Sequence, residues 1–193
     1  YGAENHSYDE GLCSTRKANA VKAYYEWMPI RESKSKLKIW RKFEIGSLFQ
    51  LFMLDTRSIY RDEQLNLDNY INKDKFEVSK FKKDLFKKRD LVGKEQFKWL
   101  DENLDNNFKW SIIGQQVLVA PTVLPEIFSK IDKSKIPEYL HKYIKIAGMN
   151  IPYNTDSWDG YPNERDKLYK VLSKSQSNVV LTGDTHNSWI SNL

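Results

Sequence analysis

The run LFQLFMLD, residues 48–55, constrains this chain more than any other stretch. It is apolar almost throughout, which is the pattern of a strand buried on both faces of a sheet. WSIIGQQVLV at 110–119 reads as a second buried strand, and NVVLTGD at 178–184 as a further strand. Between them the periodicity changes. In KEQFKWLDENL, Phe97, Leu100 and Leu104 stand at i, i+3 and i+7, the signature of an amphipathic helix of about three turns. YPNERDKLYKVLSKS (161–175) opens on proline, carries acids in its first turn and lysine in its last, and puts Leu168, Val171 and Leu172 on one face. Buried strands alternating with helices define an α/β layer architecture in which helices cover a sheet.

The remaining segments fit around that frame. IWRKFEI (39–45) is separated from the 48–55 run by Gly46-Ser47, which predicts a hairpin-like strand pair. STRKANAVKAYYEWMP predicts a helix over about 15–27, with Ser14 as the capping candidate and Pro29 as the stop. Residues 56–92 read as a long polar excursion with one short helix, and a long loop inside a domain is more often functional or mobile than idle. Pro121, Pro125, Pro137 and Pro152 mark an irregular connection with a short helix near 137–146. With no internal repeat and no low-complexity linker, one domain over 1–193 is the simplest partition.

Composition narrows the function classes. The chain has 193 residues, 40% hydrophobic and 30% charged, and no apolar run approaches the roughly 20 residues of a membrane-spanning helix. Cys13 is the only cysteine, which excludes an internal disulfide framework and a cysteine-based zinc site. The net charge is +5, with much of the excess between Lys73 and Lys98, where lysine alternates with Asp, Glu and Phe as on a solvated surface. The chain starts at Tyr1 without a signal-like segment, so it is expected to be a piece of a longer product.

In α/β sheets, chemistry gathers on the loops that leave the carboxyl ends of strands. Asp55-Thr56-Arg57 follows one buried run, and Gly183-Asp184-Thr185-His186 follows another. A carboxylate and an imidazole two positions apart can aim two donors at one metal ion, or can simply form a Gly-Asp turn. Arg57 can meet a phosphate oxygen with its planar fork, or pair with Asp55 or Asp62. In Asp156-Ser157-Trp158-Asp159-Gly160-Tyr161-Pro162, the two aromatics either shape a pocket or pack on the sheet. There is no glycine-rich phosphate loop, no His-Glu-x-x-His and no Gly-x-Ser-x-Gly, and the histidines are His6, His141 and His186.

Several blocks, taken in order, resemble the alkaline phosphatases and phosphodiesterases of the PhoD type. They are Gly2-Ala3-Glu4-Asn5-His6, KAYYEWMPIRE (22–32), Phe43 to Arg57, Leu91-Val92-Gly93 with Gln96 and Trp99-Leu100, Gly114-Gln115-Gln116, the Asp156 to Pro162 block, and TGDTHNSWISNL. The resemblance implies a calcineurin-like metallophosphatase core of the α+β four-layer type, two sheets flanked by helices, incomplete in this chain. It implies hydrolysis of phosphate mono- or diesters by metal-activated hydroxide at a centre of Fe3+ and Ca2+. It makes Asp184 and His186 metal ligands and catalytic residues, and Arg57, Asn5, Trp158 and Tyr161 substrate-binding candidates. It also implies a secreted or periplasmic protein.

The family's upstream ligand blocks, a Cys and Tyr block, a Gly-Asp-Tyr strand exit and an Asp-Asp-His-Glu block, are not in this sequence, and Cys13 does not stand in the family's cysteine position. The chain is therefore expected to be a central fragment with half a metal site. The rival reading is a non-catalytic module that binds an anion or nucleic acid through its basic surface. A continuous stripe of lysines would favour the module; in the enzyme reading nucleic acid enters only as a substrate.

Overall fold

A glycine in left-handed conformation turns the first hairpin: Gly46 has φ +52°. On either side of it run β1 (Arg41–Ile45) and β2 (Phe49–Met53), antiparallel, with Arg41 opposite Met53 and Ile45 opposite Phe49. The structure, a computed structural model, describes residues 6–32, 35 and 37–193. β5 (Trp110–Gly114) lies parallel to β2, and β6 (Asn178–Leu181) parallel to β5, so the sheet runs β1-β2-β5-β6. The carboxyl ends of β2, β5 and β6 therefore share one end of the sheet. This is a mixed sheet in a mixed α/β chain, as the strand–helix–strand order predicts.

The expectation that β2 is buried on both faces is corrected by the structure. Gln50 and Phe52 are fully buried, whereas Phe49, Leu51 and Met53 are only half-buried. The closed face even contains an amide: Gln50 Nε2 donates to Asp105 O at 2.6 Å and Ser111 Oγ at 2.8 Å, and its Oε1 accepts from Asp105 N at 3.2 Å. A buried amide satisfied on both ends costs little, which is why it is tolerated beside Phe52. β5 also stops short of the predicted 119. Beyond Gly114 the amide of Gln116 bonds to Leu54 and Thr56, and the chain leaves the ladder.

Two compact units form, each from separate stretches of sequence. Unit 1 comprises Tyr1–Glu63, Val92–Gln116 and Ser175–Leu181; unit 2 comprises Gln64–Leu91, Val117–Lys174 and Thr182–Leu193. Unit 1 contains the sheet, the helix α1 (Cys13–Trp27) and the helix α3 (Gly93–Asn103). α1 starts at Cys13, so Ser14 lies inside its first turn rather than capping it, and Tyr25 is its one buried residue. α3 buries Gln96 and Leu100, and Trp99 meets Phe52 edge-on at 5.6 Å.

In unit 2 the polar excursion folds around an aromatic cluster. The short pair β3 (Ile71–Asn72) and β4 (Lys75–Phe76) is joined by Lys73 and Asp74, both at positive φ, as a two-residue hairpin requires. The helix α2 (Val78–Leu85) follows and buries Phe81 and Leu85. Tyr70, Phe76 and Phe81 stack edge-to-face or tilted with centroids 5.1–6.2 Å apart, beside Leu67, Ile146 and Ile151. α4 (His141–Ile146) is the short helix predicted near 137–146. α5 (Pro162–Leu172) begins with Pro162 at its first helical position, where the missing N–H costs nothing.

Candidate functional site

The loop that leaves β2 is held by three side chains of unit 1. Gln96 from α3 accepts from Asp55 N at 2.7 Å and donates to Asp55 O at 2.9 Å, prolonging a β-like pairing past the end of the strand. Gln116 does the same on the other side: Nε2 donates to Leu54 O at 2.8 Å, and Oε1 accepts from Thr56 N at 2.8 Å and Thr56 Oγ1 at 2.6 Å. Asp55 is 3% exposed, and its Oδ1 accepts from the backbone N–H groups of Arg57 at 3.0 Å and Ser58 at 2.8 Å. The backbone of Arg57 is thus fixed by a carboxylate that caps its turn. Gln96 and Gln116 had no role assigned by the sequence; their amides bond 41 and 60 positions away, where no local pattern reaches.

The Asp156 to Pro162 block is a second built feature, and its chemistry is internal. Asp159 is 5% exposed; its Oδ2 accepts from Thr122 N at 2.7 Å and Thr122 Oγ1 at 2.8 Å, and its Oδ1 pairs with Arg165. Ser157 Oγ accepts from Asp159 N at 3.3 Å, closing a tight turn, and Trp158 N donates to Leu118 O at 3.2 Å. Trp158 and Tyr161 are 0% and 1% exposed. Their place is in the packing of unit 2, not on a surface open to a substrate, and Arg89 lies over the Tyr161 ring at 5.2 Å. This burial matches the packing alternative for the block.

Asp184 and His186 stand on the segment after β6. Both are exposed, and both have left-handed backbone, φ +73° and +52°. Non-glycine residues rarely adopt that region, although Asp and His enter it more readily than most. Thr185 N donates to Gly183 O at 3.0 Å, tightening the turn between them. Asn5, the remaining substrate candidate, lies outside the described residues.

As donors, one carboxylate and one imidazole suit a hard or borderline transition-metal ion in type. In number they fall short: calcium alone takes six to eight oxygens. Among the described residues, no group of three or more His, Cys, Asp and Glu side chains converges to hold a metal. Asp159 in particular is engaged with Thr122 and Arg165.

The lysine-rich stretch is threaded with acids. Lys80 pairs with Glu77, Lys87 with Asp84, and Lys98 with Glu102. Asp74, from the same stretch, takes Lys145 at 2.7 Å. Hydrogen bonding from Lys145, and then its charge, hold the Asp74 carboxyl below the usual range; Lys87 does the same for Asp84, helped by Tyr70. Such alternation breaks up a continuous basic stripe, and the non-catalytic binding module is not favoured.

Comparison with known proteins finds relatives along the chain. The PhoD-like phosphatase profile matches residues 1–193. Alkaline phosphatase D of Bacillus subtilis (strain 168) is 37% identical over 185 residues, which is 92% of this chain and 27% of that protein. A solved structure of PhoD superposes with a TM-score of 0.63 at 33% identity, over 92% of this chain and 30% of that one. The chain spans less than a third of the length of either relative. Matched along its full length by the family profile and in fold by a solved member, the chain belongs to the PhoD-like phosphatase family.

Proposed function

We propose that this chain carries part of the active site of a hydrolase of phosphate mono- or diesters, built on a calcineurin-like core and working in a secreted or periplasmic setting. The observation that carries the reading is the pair Asp184 and His186, presented to solvent on a strained turn directly after a parallel strand. Backbone strain at non-glycine residues persists where surrounding structure imposes it, and it concentrates at functional sites. Asp184 offers carboxylate oxygens and His186 an imidazole nitrogen, and both would hold the Fe3+ and Ca2+ centre that the family resemblance implies. A metal ion held there would supply a hydrolytic nucleophile near neutral pH and would offset charge on phosphoryl oxygens. Arg57 would meet a phosphoryl oxygen through its guanidinium, from a backbone position fixed by Asp55.

Metal binding tests this directly. Trp189 lies three residues beyond His186, is 46% exposed and bonds to Asn187 Oδ1, so its fluorescence reports on the turn. Titration of the 193-residue chain with Fe3+ or Ca2+ is expected to change that emission at weak affinity. The combined change Asp184→Asn and His186→Ala is expected to remove the response. An undiminished response in that variant would sink the assignment. Hydrolysis of a chromogenic phosphate ester by these residues alone is expected to be slow, because two donors do not complete the centre; rapid turnover would refute the half-site reading.

A further inference from the structure

The helix α1 is fifteen residues long and weakly anchored. It begins at Leu12 without a side-chain cap, and its charges run against its dipole: Arg16 and Lys17 stand near its amino end and Glu26 near its carboxyl end. Burial does not compensate. Tyr25 is its one buried residue, and the phenol oxygen of that ring is buried with no hydrogen-bond partner among the described residues. A buried polar atom left without a partner disfavours the docked helix. By contrast, α3 buries Gly93, Gln96 and Leu100, and Gln96 clamps the backbone of Asp55.

The packing beneath α1 is open as well. A cavity of about 420 Å3, wholly within unit 1, separates the helix from its neighbours. Lys17, Val21 and Tyr24 form its helical wall, and Leu37, Ile39 and Ser58 stand opposite. A gap of this size forgoes the dispersion contacts of a close-packed helix. Across it, Lys17 Nζ donates to the carbonyl of Ser58, which fastens α1 to the β2 exit loop beside Arg57. Lys22, further along the helix, pairs at 3.7 Å with Glu26 of α1 itself.

We propose that α1 is a lid on unit 1: it comes off the cavity and unwinds while the sheet and α3 stay folded, and the bond from Lys17 to Ser58 is its latch. Elements with few buried contacts open well below the free energy of global unfolding. Once detached, a helix of fifteen residues is marginal in water, so release and loss of its backbone hydrogen bonds go together. Opening bares the part of the exit loop that lines the cavity, Arg57 and Ser58. The bearing of this motion on substrate entry rests on the role proposed for Arg57; the motion itself does not.

The test is native-state hydrogen exchange of the 193-residue chain, read by mass spectrometry in the absence of metal and substrate, so its outcome is independent of the hydrolytic reading. Relative to their intrinsic rates, amides of α1 are expected to exchange about a hundredfold faster than those of α3. Lys17→Met is expected to speed exchange in α1 by about tenfold, the worth of one hydrogen bond from a charged donor, and to leave α3 as it was. Lys22→Met is the matched control: it removes a charge from the same helix without touching the latch, and is expected to change exchange in α1 by less than about threefold. Protection of α1 equal to that of α3, a Lys17→Met effect no larger than that of Lys22→Met, or an acceleration shared equally by α3 would each overturn the proposal.

Discussion

Replacing Gly160 with alanine adds one methyl group where the fold leaves no room. A Cβ built on Gly160 would stand 1.9 Å from the carbonyl oxygen of Thr155, 2.7 Å from its carbonyl carbon and 3.1 Å from its Cα. Real Cβ atoms keep at least 3.0 Å, so the Thr155 carbonyl would have to withdraw by about 1.1 Å. It is backbone, not the flexible end of a side chain, and its residue is 7% exposed. Gly160 is anchored as well: its N–H donates to Ser157 O at 3.0 Å and its carbonyl accepts from Arg89 at 2.5 Å. Overpacking of a well-filled interior costs about 1–3 kcal/mol, and a clash with anchored backbone belongs near the upper end, about 3 kcal/mol. For a chain of this size that corresponds to a fall in Tm of roughly 6–12 °C.

The assay is thermal and urea unfolding followed by near-ultraviolet circular dichroism, where the buried Trp158 reports on unit 2. Gly46→Ala is the matched control. Gly46 has φ +52° but no atom within 4 Å of its would-be Cβ, so it incurs only the left-handed backbone cost of about 1–2 kcal/mol. If Gly160→Ala shifted the midpoint no more than Gly46→Ala, the close approach of residues 155 and 160 would not constrain the fold.

Other expectations follow from the same hydrogen-bond geometry. Asp159→Ala removes the acceptor shared by Thr122 and Arg165 and leaves a guanidinium with side-chain exposure of 15% uncompensated; the expected loss is about 3–5 kcal/mol, read from the urea midpoint, and a change below 1 kcal/mol at about the level of a surface site would contradict it. Gln96→Leu keeps the volume but strips partners from Asp55 N and O, so amide exchange at Asp55 is expected to accelerate and stability to fall by about 1–3 kcal/mol; unchanged exchange there would refute the clamp. Burial, and then the hydrogen bond to Asp84, push the Tyr70 phenol from 10.0 up to about 12. The folded state therefore favours the neutral ring, and this contribution is complete below pH 10 and lost as pH rises through about 12. Unfolding free energy measured across that window is expected to decline, and Tyr70→Phe to flatten the decline; an equal slope in both proteins would remove Tyr70 as its source.

Local periodicity carried a good part of the fold. The hairpin at Gly46-Ser47, the amphipathic turns of α3, the proline-opened α5 and the strand before Asp184 are each written in neighbouring residues, because pleat, helical pitch and turn conformation are short-range properties. The Lys73-Asp74 hairpin was not legible, since neither residue is the glycine or asparagine that normally announces a turn with two positive φ values. Nor was the end of β5, which depends on Gln116 finding Leu54 and Thr56 rather than on any signal at Gly114 itself.

The candidate site divides along the same line. Sequence alone nominated the residues proposed for chemistry, the Asp184-x-His186 pair after one strand and Arg57 after another, and displayed the ordered blocks that resemble one phosphatase family. Tertiary structure decided what their neighbours do. It buried Trp158 and Tyr161, engaged Asp159 with partners up to 37 positions away, and gathered Arg16, Lys17 and Arg57 around one cavity. Identity and local spacing are properties of the chain as written, whereas burial and charge convergence arise only when segments distant in sequence pack, since each residue's solvent and partners are set by that packing.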